Sequence, residues 1–162
     1  MSAPDPQQMR EAMSRFATGV AIVTTTLRGR DHAMTAGSIA SVSLDPPLVL
    51  VCIRLDGGLH DPLLESGIWG LSVLSAKGRA TASWLATPGR PLLGQLERVP
   101  HHRGVSGVAL IDDALVTLEC RTTAAYPGGD HTIVVGEVID WEPGERPEDP
   151  LIHYRSQYWS PR

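Results

Sequence analysis

The 162-residue chain is 42% apolar and 20% charged, which is an ordinary balance for a globular protein with one buried core. These totals predict a single domain over residues 1–162. Its formal net charge of −4 argues against a nucleic acid partner, because binding to phosphate backbones needs a surplus of Lys and Arg. No stretch has the length or apolar character of a membrane span or a signal peptide, so we expect a cytoplasmic protein without a membrane partner.

The first predicted element is an amphipathic helix that starts after Asp5. Asp5 can accept hydrogen bonds from free backbone N–H groups, and Pro6 suits the first helical position. Gly19 can end the helix. We expect its apolar face to lie on a sheet, and that face consists of Met9, Ala12, Met13, Phe16 and Ala17.

Runs of β-branched and apolar residues then predict six or seven strands and a last short one, with few helices between them. The fold class is therefore mainly β, an antiparallel barrel with peripheral helices. The run at 48–53 is apolar at every position, which indicates burial on both faces. The predicted strands cover residues 20–26, 32–41, 48–53, 68–74, 108–111, 114–125 and 131–141, with a last short strand after residue 150.

Two short helices and one long irregular connection complete the predicted elements. The helices cover residues 60–65 and 76–86, the second with Ala80, Trp84 and Leu85 along one side. Residues 87–107 have no periodic pattern, and connections of that length are often functional. Cys52 and Cys120 lie in apolar runs without metal-ligand spacing, so we expect buried, reduced thiols.

One polar stretch, residues 34–47, stands out between the apolar runs. It is small and rich in hydroxyls, so it leaves backbone N–H groups accessible to a planar ligand with polar edges. The alternative is an ordinary strand that ends at Pro46 and Pro47. His101 and His102 are adjacent without a carboxylate or cysteine at ligand spacing, so we expect no metal site. Four tryptophans are expected to act as core and interface anchors, namely Trp69, Trp84, Trp141 and Trp159.

The order of short motifs along the chain resembles the short-chain flavin reductase family, the small reductase components of two-component flavin monooxygenases. The motifs are Arg-Phe-Ala-Thr-Gly-Val at 15–20, Val-Thr-Thr at 23–25, Met-Thr-Ala at 34–36, Ser-Val-Ser-Leu-Asp-Pro-Pro-Leu-Val at 41–49, Leu-Glu-Ser-Gly at 64–67, Leu-Glu-Cys at 118–120, Gly-Asp-His-Thr-Ile at 129–133, Gly-Glu-Val at 136–138 and Pro-Leu-Ile-His-Tyr-Arg at 150–155. The resemblance implies a split antiparallel β-barrel with Greek-key connections. It also implies a homodimer with flavin bound near the subunit interface.

The resemblance further implies that the protein reduces FMN or FAD with NADH or NADPH and supplies the reduced flavin to a partner monooxygenase. His131 would lie near flavin and nicotinamide, and Asp130 would orient its imidazole. Flavin accepts the hydride itself, so the protein needs only to hold the ring and stabilise the charge that develops on it. The candidate flavin-binding residues are Thr35, Ala36, Gly37 and Ser38 at the ring edge, Ser41, Val42 and Ser43 along the tail, Arg54, Gly57, Gly58 and His60 near the phosphate, and Tyr154.

This chain departs from the family pattern at several polar positions. Gly37 stands where relatives carry Asn, and Ile39 replaces Phe. In the loop after Cys52, Gly57 and Leu59 occupy the places of a Ser-x-Thr pair that approaches the flavin phosphate. Losing two such bonds weakens phosphate binding by about 10²-fold or more, unless Gly57, Gly58, Arg54 and His60 compensate.

Three functions are compatible with these departures. The first is a reductase that treats flavin as a weakly bound substrate. The second is a protein that holds flavin tightly and acts on an organic substrate in a biosynthetic pathway, with residues 87–107 and Trp84 shaping a pocket. The third is a binding or assembly module without catalytic activity. We favour the reductase, because weak binding suits a flavin that must leave for another enzyme.

Overall fold

The computed structural model describes residues 2–161, and that part of the chain contains three α-helices and twelve strands in three antiparallel sheets. The helices are α1 (Pro6–Ser14), α2 (His60–Ser66) and α3 (Arg79–Ala86), the last preceded by one 3₁₀ turn (Ala76–Gly78). The strands are β1 (Thr18–Gly19), β2 (Ala21–Leu27), β3 (Arg30–Ala36), β4 (Ile39–Leu44), β5 (Pro47–Arg54), β6 (Ile68–Leu74), β7 (His101–Arg103), β8 (Ala109–Ile111), β9 (Ala114–Gly128), β10 (His131–Pro143), β11 (Ile152–Tyr154) and β12 (Gln157–Trp159). The predicted mainly β class is confirmed.

The main sheet has seven antiparallel strands in the order β3-β2-β6-β9-β10-β5-β4. Strands β3 and β4 are consecutive in the chain yet lie at opposite edges, joined only by Gly37 and Ser38. The single strand predicted over residues 32–41 is therefore wrong. Glycine suits the crossing, because a Cβ at position 37 would lie only 2.9 Å from Thr18 Oγ1.

Two clusters of buried side chains pack on the two faces of this sheet. One face buries Trp69 at its centre, and all seven strands contribute side chains to that cluster. The other face packs against α3, chiefly through Leu85, and against residues 96–99 of the connection that follows it. Of the four tryptophans, Trp69 is the one confirmed in the core, since Trp84, Trp141 and Trp159 are exposed.

Strand β5 is buried on one face only. Val51 and Ile53 are fully buried, whereas Leu48, Leu50 and Cys52 are half-buried on the opposite face. The expected burial on both faces is wrong because no helix in the described part of the chain covers the outer side of β5. Both cysteines are free, as expected, and Cys120 is buried, with its thiol pKa raised to about 12 by desolvation.

Helix α1 begins as predicted but does not pack as predicted. Asp5 accepts hydrogen bonds from the N–H groups of Gln7 and Gln8 in a capping box. The helix ends at Ser14, before Gly19, and none of its residues is buried. Met13 in the helix and Phe16 just beyond it are 50% and 65% exposed. Within residues 2–161, the apolar side of α1 has no sheet beneath it.

Helix α3 rotates differently from its predicted orientation. Thr81, Ala82 and Leu85 are buried, whereas Ala80 and Trp84 are exposed, because the helix packs against β3 and β2. The long connection is irregular over residues 87–100 and then enters β7. None of the described helices has the length and apolar composition to span a membrane.

Candidate functional site

The candidate catalytic residues lie where β5 ends and β10 begins. Arg54 and His131 are direct cross-strand partners, so their side chains share the outer face of the sheet. The N–H of Leu55 donates to the carbonyl of Asp130 at 3.1 Å, which fixes the turn between β9 and β10 against the end of β5. The structure therefore brings Arg54, Asp130 and His131 together.

His131 and Asp130 form the pair that the sequence predicted. Nδ1 of His131 lies 2.7 Å from Oδ1 of Asp130. The hydrogen bond to His131 holds the pKa of Asp130 below its usual value. Nε2 of His131 has no partner among residues 2–161, and the side chain is 36% exposed. An imidazole held this way presents Nε2 to a molecule bound on the outer face.

Arg54 is neutralised by its own neighbours. Its Nε and Nη2 donate to the two carboxylate oxygens of Asp56, both at 2.9 Å. The hydrogen bond to Asp56, helped by the charges of Asp56 and Asp130, raises the pKa of Arg54. A phosphate at this position would have to compete with two carboxylates, so Arg54 is a poor sole anchor for an anion.

Both ring nitrogens of His60 contact other side chains of the protein, so neither is left for a ligand. Its Nδ1 lies 2.7 Å from Oδ1 of Asp61, and its Nε2 lies 2.8 Å from Oγ1 of Thr132. This arrangement ties the start of α2 to the start of β10. Thr132 is not among the site residues predicted from the sequence, because nothing in the sequence reveals that it faces α2.

The turn after β5 leaves two backbone amides without a partner. The N–H of Gly57 donates to the carbonyl of Arg54 at 3.1 Å. The N–H groups of Gly58 and Leu59 have no partner in the described part of the chain. The side chain of Leu59 is only 3% exposed and packs in the core cluster, so that side chain does not face a ligand. The amides of Gly58 and Leu59 are the donors left in this turn.

The predicted ring-edge residues divide between two faces. The hydroxyl of Thr35 donates to the carbonyl of Ala82 in α3 at 2.7 Å, and Ala36 is buried in the core cluster. Ser38 is exposed, and its hydroxyl donates to the carbonyl of Cys52 at 3.0 Å. Ser38 thus lies beside Cys52 of β5, and Cys52 is two residues before Arg54. Gly37 is exposed next to Thr18.

The predicted tail residues lie along β4, away from the turn after β5. Ser41 and Val42 are exposed, and a bulge separates the pairing of Ser41 from that of Ser43. Ser43 pairs with Leu48, six residues before Arg54, so about 20 Å of strand lies between them. Strand β4 is an edge strand, and alternate N–H groups along it are not paired with β5.

Tyr154 lies one strand away from the ring edge. Its strand β11 pairs with β1, where His153 faces Thr18, and Thr18 is the neighbour of Gly37. Tyr154 is half-buried. Because successive side chains of a strand point to opposite faces, the side chain of Tyr154 does not share the face of His153, which lies opposite Thr18.

The family model for the flavin reductase like domain matches residues 13–161. The chain belongs to this flavin reductase-like family. The match includes every strand of the main sheet and every candidate site residue, and it confirms the family expected from the motifs.

Proteins similar to this flavin reductase-like chain carry consistent names. An NADH-dependent FMN reductase of Streptomyces nodosus subsp. asukaensis is 38% identical over 156 residues, or 96% of this chain and 84% of the relative. The reductase component of 4-hydroxyphenylacetate 3-monooxygenase from Thermus thermophilus is 35% identical over 94% of both chains. The solved flavin reductase component of a bacterial two-component tryptophan halogenase is 41% identical, with a TM-score of 0.90 over 96% of this chain and 98% of that one. The expectation of a flavin reductase that uses NADH or NADPH is confirmed by these relatives, and the name of the Streptomyces protein specifies NADH.

The described residues fit a flavin ring better than they fit its phosphate. The outer face offers unpaired β4 amides and the free Nε2 of His131, which suit a ring that gains negative charge on reduction. At the predicted phosphate end, Arg54 is neutralised, and the amides of Gly58 and Leu59 are free donors. No sequence motif predicts Arg90, a half-buried arginine of the irregular connection that lines a small pocket with Gly58.

Proposed function

We propose that this protein is an NADH-dependent reductase of free FMN or FAD. The reduced flavin would then diffuse to a partner enzyme, such as a flavin-dependent monooxygenase. The observation that carries the proposal is the open outer face around His131, within a chain whose similar proteins are named as NADH-dependent flavin reductases. An exposed face suits a flavin that enters and leaves as a substrate.

The proposed roles follow from the geometry of that face. Asp130 holds Nδ1 of His131, which leaves Nε2 to form a hydrogen bond with the reduced ring. Backbone amides at the start of β4, near Ser38, would bind the polar edge of the ring. NADH supplies the hydride and the flavin accepts it, so the chain needs no further acid or base.

Loss of NADH absorbance in the presence of added flavin tests this function directly. We expect turnover that saturates with FMN or FAD, that is slow without added flavin, and that prefers NADH to NADPH. A protein that retains flavin through desalting, yet does not oxidise NADH when free flavin is added, would contradict the proposal and favour a tightly bound prosthetic group.

We further propose that the seven-stranded sheet curls into the split β-barrel with Greek-key connections. Six strand spacings would separate the edges of a flat sheet by about 29 Å. Gly37 and Ser38 can bridge only about 11 Å between Ala36 and Ile39. The core cluster shared by all seven strands also supports curling. A crystal structure in which β3 and β4 belong to separate, flat sheets would contradict it.

We also propose that two copies of the chain pair through the outer face of β4, β5, β10 and β9. Four apolar residues form one row across these strands, namely Ala40, Leu50, Val135 and Ala124. None of them is fully buried within the described chain. His131 and Arg54 lie on the same face, four residues from Val135 and Leu50, so a second copy that extends along this face would complete the wall of the flavin site.

A further inference from the structure

The irregular connection after α3 folds back over β3 and over the turn that follows β5. Gly58 marks the contact, because a Cβ at that position would lie 2.7 Å from Cδ2 of Leu92. A pocket of about 190 Å³ lies between these segments. Its lining residues are Ala33, Gly58, Gly89, Arg90, Leu92 and Gln95.

Arg90 is held rigidly at this pocket. Its Nη2 donates to the carbonyl of Ala33 at 2.6 Å, and Nη1 donates to the carbonyl of Thr87 at 3.3 Å. Gln95 accepts a hydrogen bond from the N–H of the same Ala33 at 3.0 Å. The connection is thereby fixed to β3 through both backbone groups of one residue, and the guanidinium is preorganised.

The charge of Arg90 has no partner within residues 2–161. Its Nε is buried and makes no hydrogen bond, and no carboxylate contacts the guanidinium. Burial lowers the pKa of Arg90, but an arginine remains cationic at neutral pH. A half-buried cation with an unsatisfied donor is costly unless something else compensates it.

Two other arginines of this region are compensated by carboxylates, whereas the half-buried Arg90 is not. Arg103 donates to both carboxylate oxygens of Asp31, at 2.7 and 2.6 Å, and Arg54 does the same with Asp56. Arg90, whose Nε has no partner, and Gly58 both line this one pocket. Planar guanidinium groups with free N–H donors suit phosphate oxygens.

We propose that Arg90 binds a phosphate group of one of the two nucleotide substrates in this pocket, beside Gly58. The group is either the 5′-phosphate of the flavin or the pyrophosphate of NADH. This inference rests on the proposed flavin reductase function. It assigns to Arg90 the phosphate contact that the hydroxyl missing at position 57 leaves open.

Binding of FMN and of riboflavin to the Arg90→Gln variant tests the flavin phosphate, since riboflavin lacks it. Quenching of flavin fluorescence reports both affinities without turnover. We expect the variant to lose about 10- to 100-fold in affinity for FMN while its affinity for riboflavin is nearly unchanged. Arg98→Gln is the matched control, because Arg98 is exposed in the same connection and makes no ion pair. A purely structural role for Arg90 would weaken both flavins equally.

The second arm compares NADH with reduced nicotinamide riboside, using riboflavin as the acceptor. If the pyrophosphate is the ligand, Arg90→Gln raises the KM for NADH by a similar factor and leaves that for the riboside unchanged. Unchanged FMN/riboflavin and NADH/riboside ratios in an active, folded variant overturn the assignment while the reductase function stands. A wild-type protein that binds neither flavin and does not oxidise NADH would overturn both.

Discussion

His131 is the single side chain whose environment best matches a role in stabilising reduced flavin. Asp130 occupies Nδ1 at 2.7 Å, and Nε2 faces the open outer side of the sheet. We expect His131→Ala to lower kcat/KM for flavin reduction at least about tenfold, which is the usual scale for losing one charge-stabilising donor. Stopped-flow measurement of NADH oxidation with excess FMN checks this. His102→Ala is the control, since His102 lies on β7, in a different sheet from His131. A rate that is unchanged in both variants would show that His131 is not part of the site.

Gly136 gives a second prediction at the scale of a residue, this time for stability. A Cβ at position 136 would lie 2.5 Å from Cζ2 of Trp69 and 3.0 Å from Cβ of Cys120, in the middle of the core. We expect Gly136→Ala to lower the free energy of unfolding by about 1–3 kcal/mol through overpacking. Urea denaturation measures it. Gly19→Ala is the matched control, because nothing lies within 4 Å of a Cβ at position 19. Equal stability of the two variants would show that Trp69 moves aside freely.

At the scale of elements, periodicity located most strands because each alternates against a single core. Residues 68–74 form the predicted strand from end to end. Local pattern failed where the chain changes edges at Gly37 and Ser38, since a crossing between distant strands leaves no local signature. It also failed for α1, whose apolar side is real although no sheet of the described chain receives it.

The candidate site was predictable only where its residues are adjacent in the chain. Asp130 and His131 are neighbours in the chain, so a motif can reveal them, and the structure confirms their hydrogen bond. The buried orientation of Leu59 and the shared pocket of Arg90 and Gly58 depend on packing. No pattern along one chain segment carries that information.

Strand β7 carries a histidine whose pH-dependent hydrogen bonds connect this strand to the end of β8 and to the end of β10. Nδ1 of His102 lies 2.7 Å from Asp112 after β8, and Nε2 lies 3.1 Å from Glu142 at the end of β10. The hydrogen bond to Asp112, reinforced by Glu142, raises the pKa of His102 above its ordinary 6.5. The folded state thus favours the protonated form, so this stabilisation is complete below pH 6.5 and disappears as pH rises through the raised pKa.

Thermal unfolding of His102→Gln across pH therefore has a defined direction. We expect the variant to melt up to about 4 °C below the wild type in mildly acidic buffer, with the gap closing at alkaline pH, because the groups are half-exposed. The difference in melting temperature between the wild type and His32→Gln should have the opposite pH dependence, since burial lowers the pKa of His32. A difference in melting temperature between the wild type and His102→Gln that widens as pH rises would contradict the stabilising role of the His102 hydrogen bonds.

At the scale of the whole molecule, the uncovered outer face of β5 and its neighbours predicts self-association. Leu50 lies in the apolar row between Ala40 and Val135, so an aspartate there would be buried without a partner in a paired molecule. We expect light scattering to give twice 17.4 kDa for the wild type and 17.4 kDa for Leu50→Asp. The variant should also lose flavin reduction, because His131 and Arg54 lie on the same face as that row. Leu64→Asp, on the partly exposed side of α2, should remain paired and active. A wild type that is monomeric at every concentration would contradict the pairing, and a Leu50→Asp variant that stays paired would exclude this face as the interface.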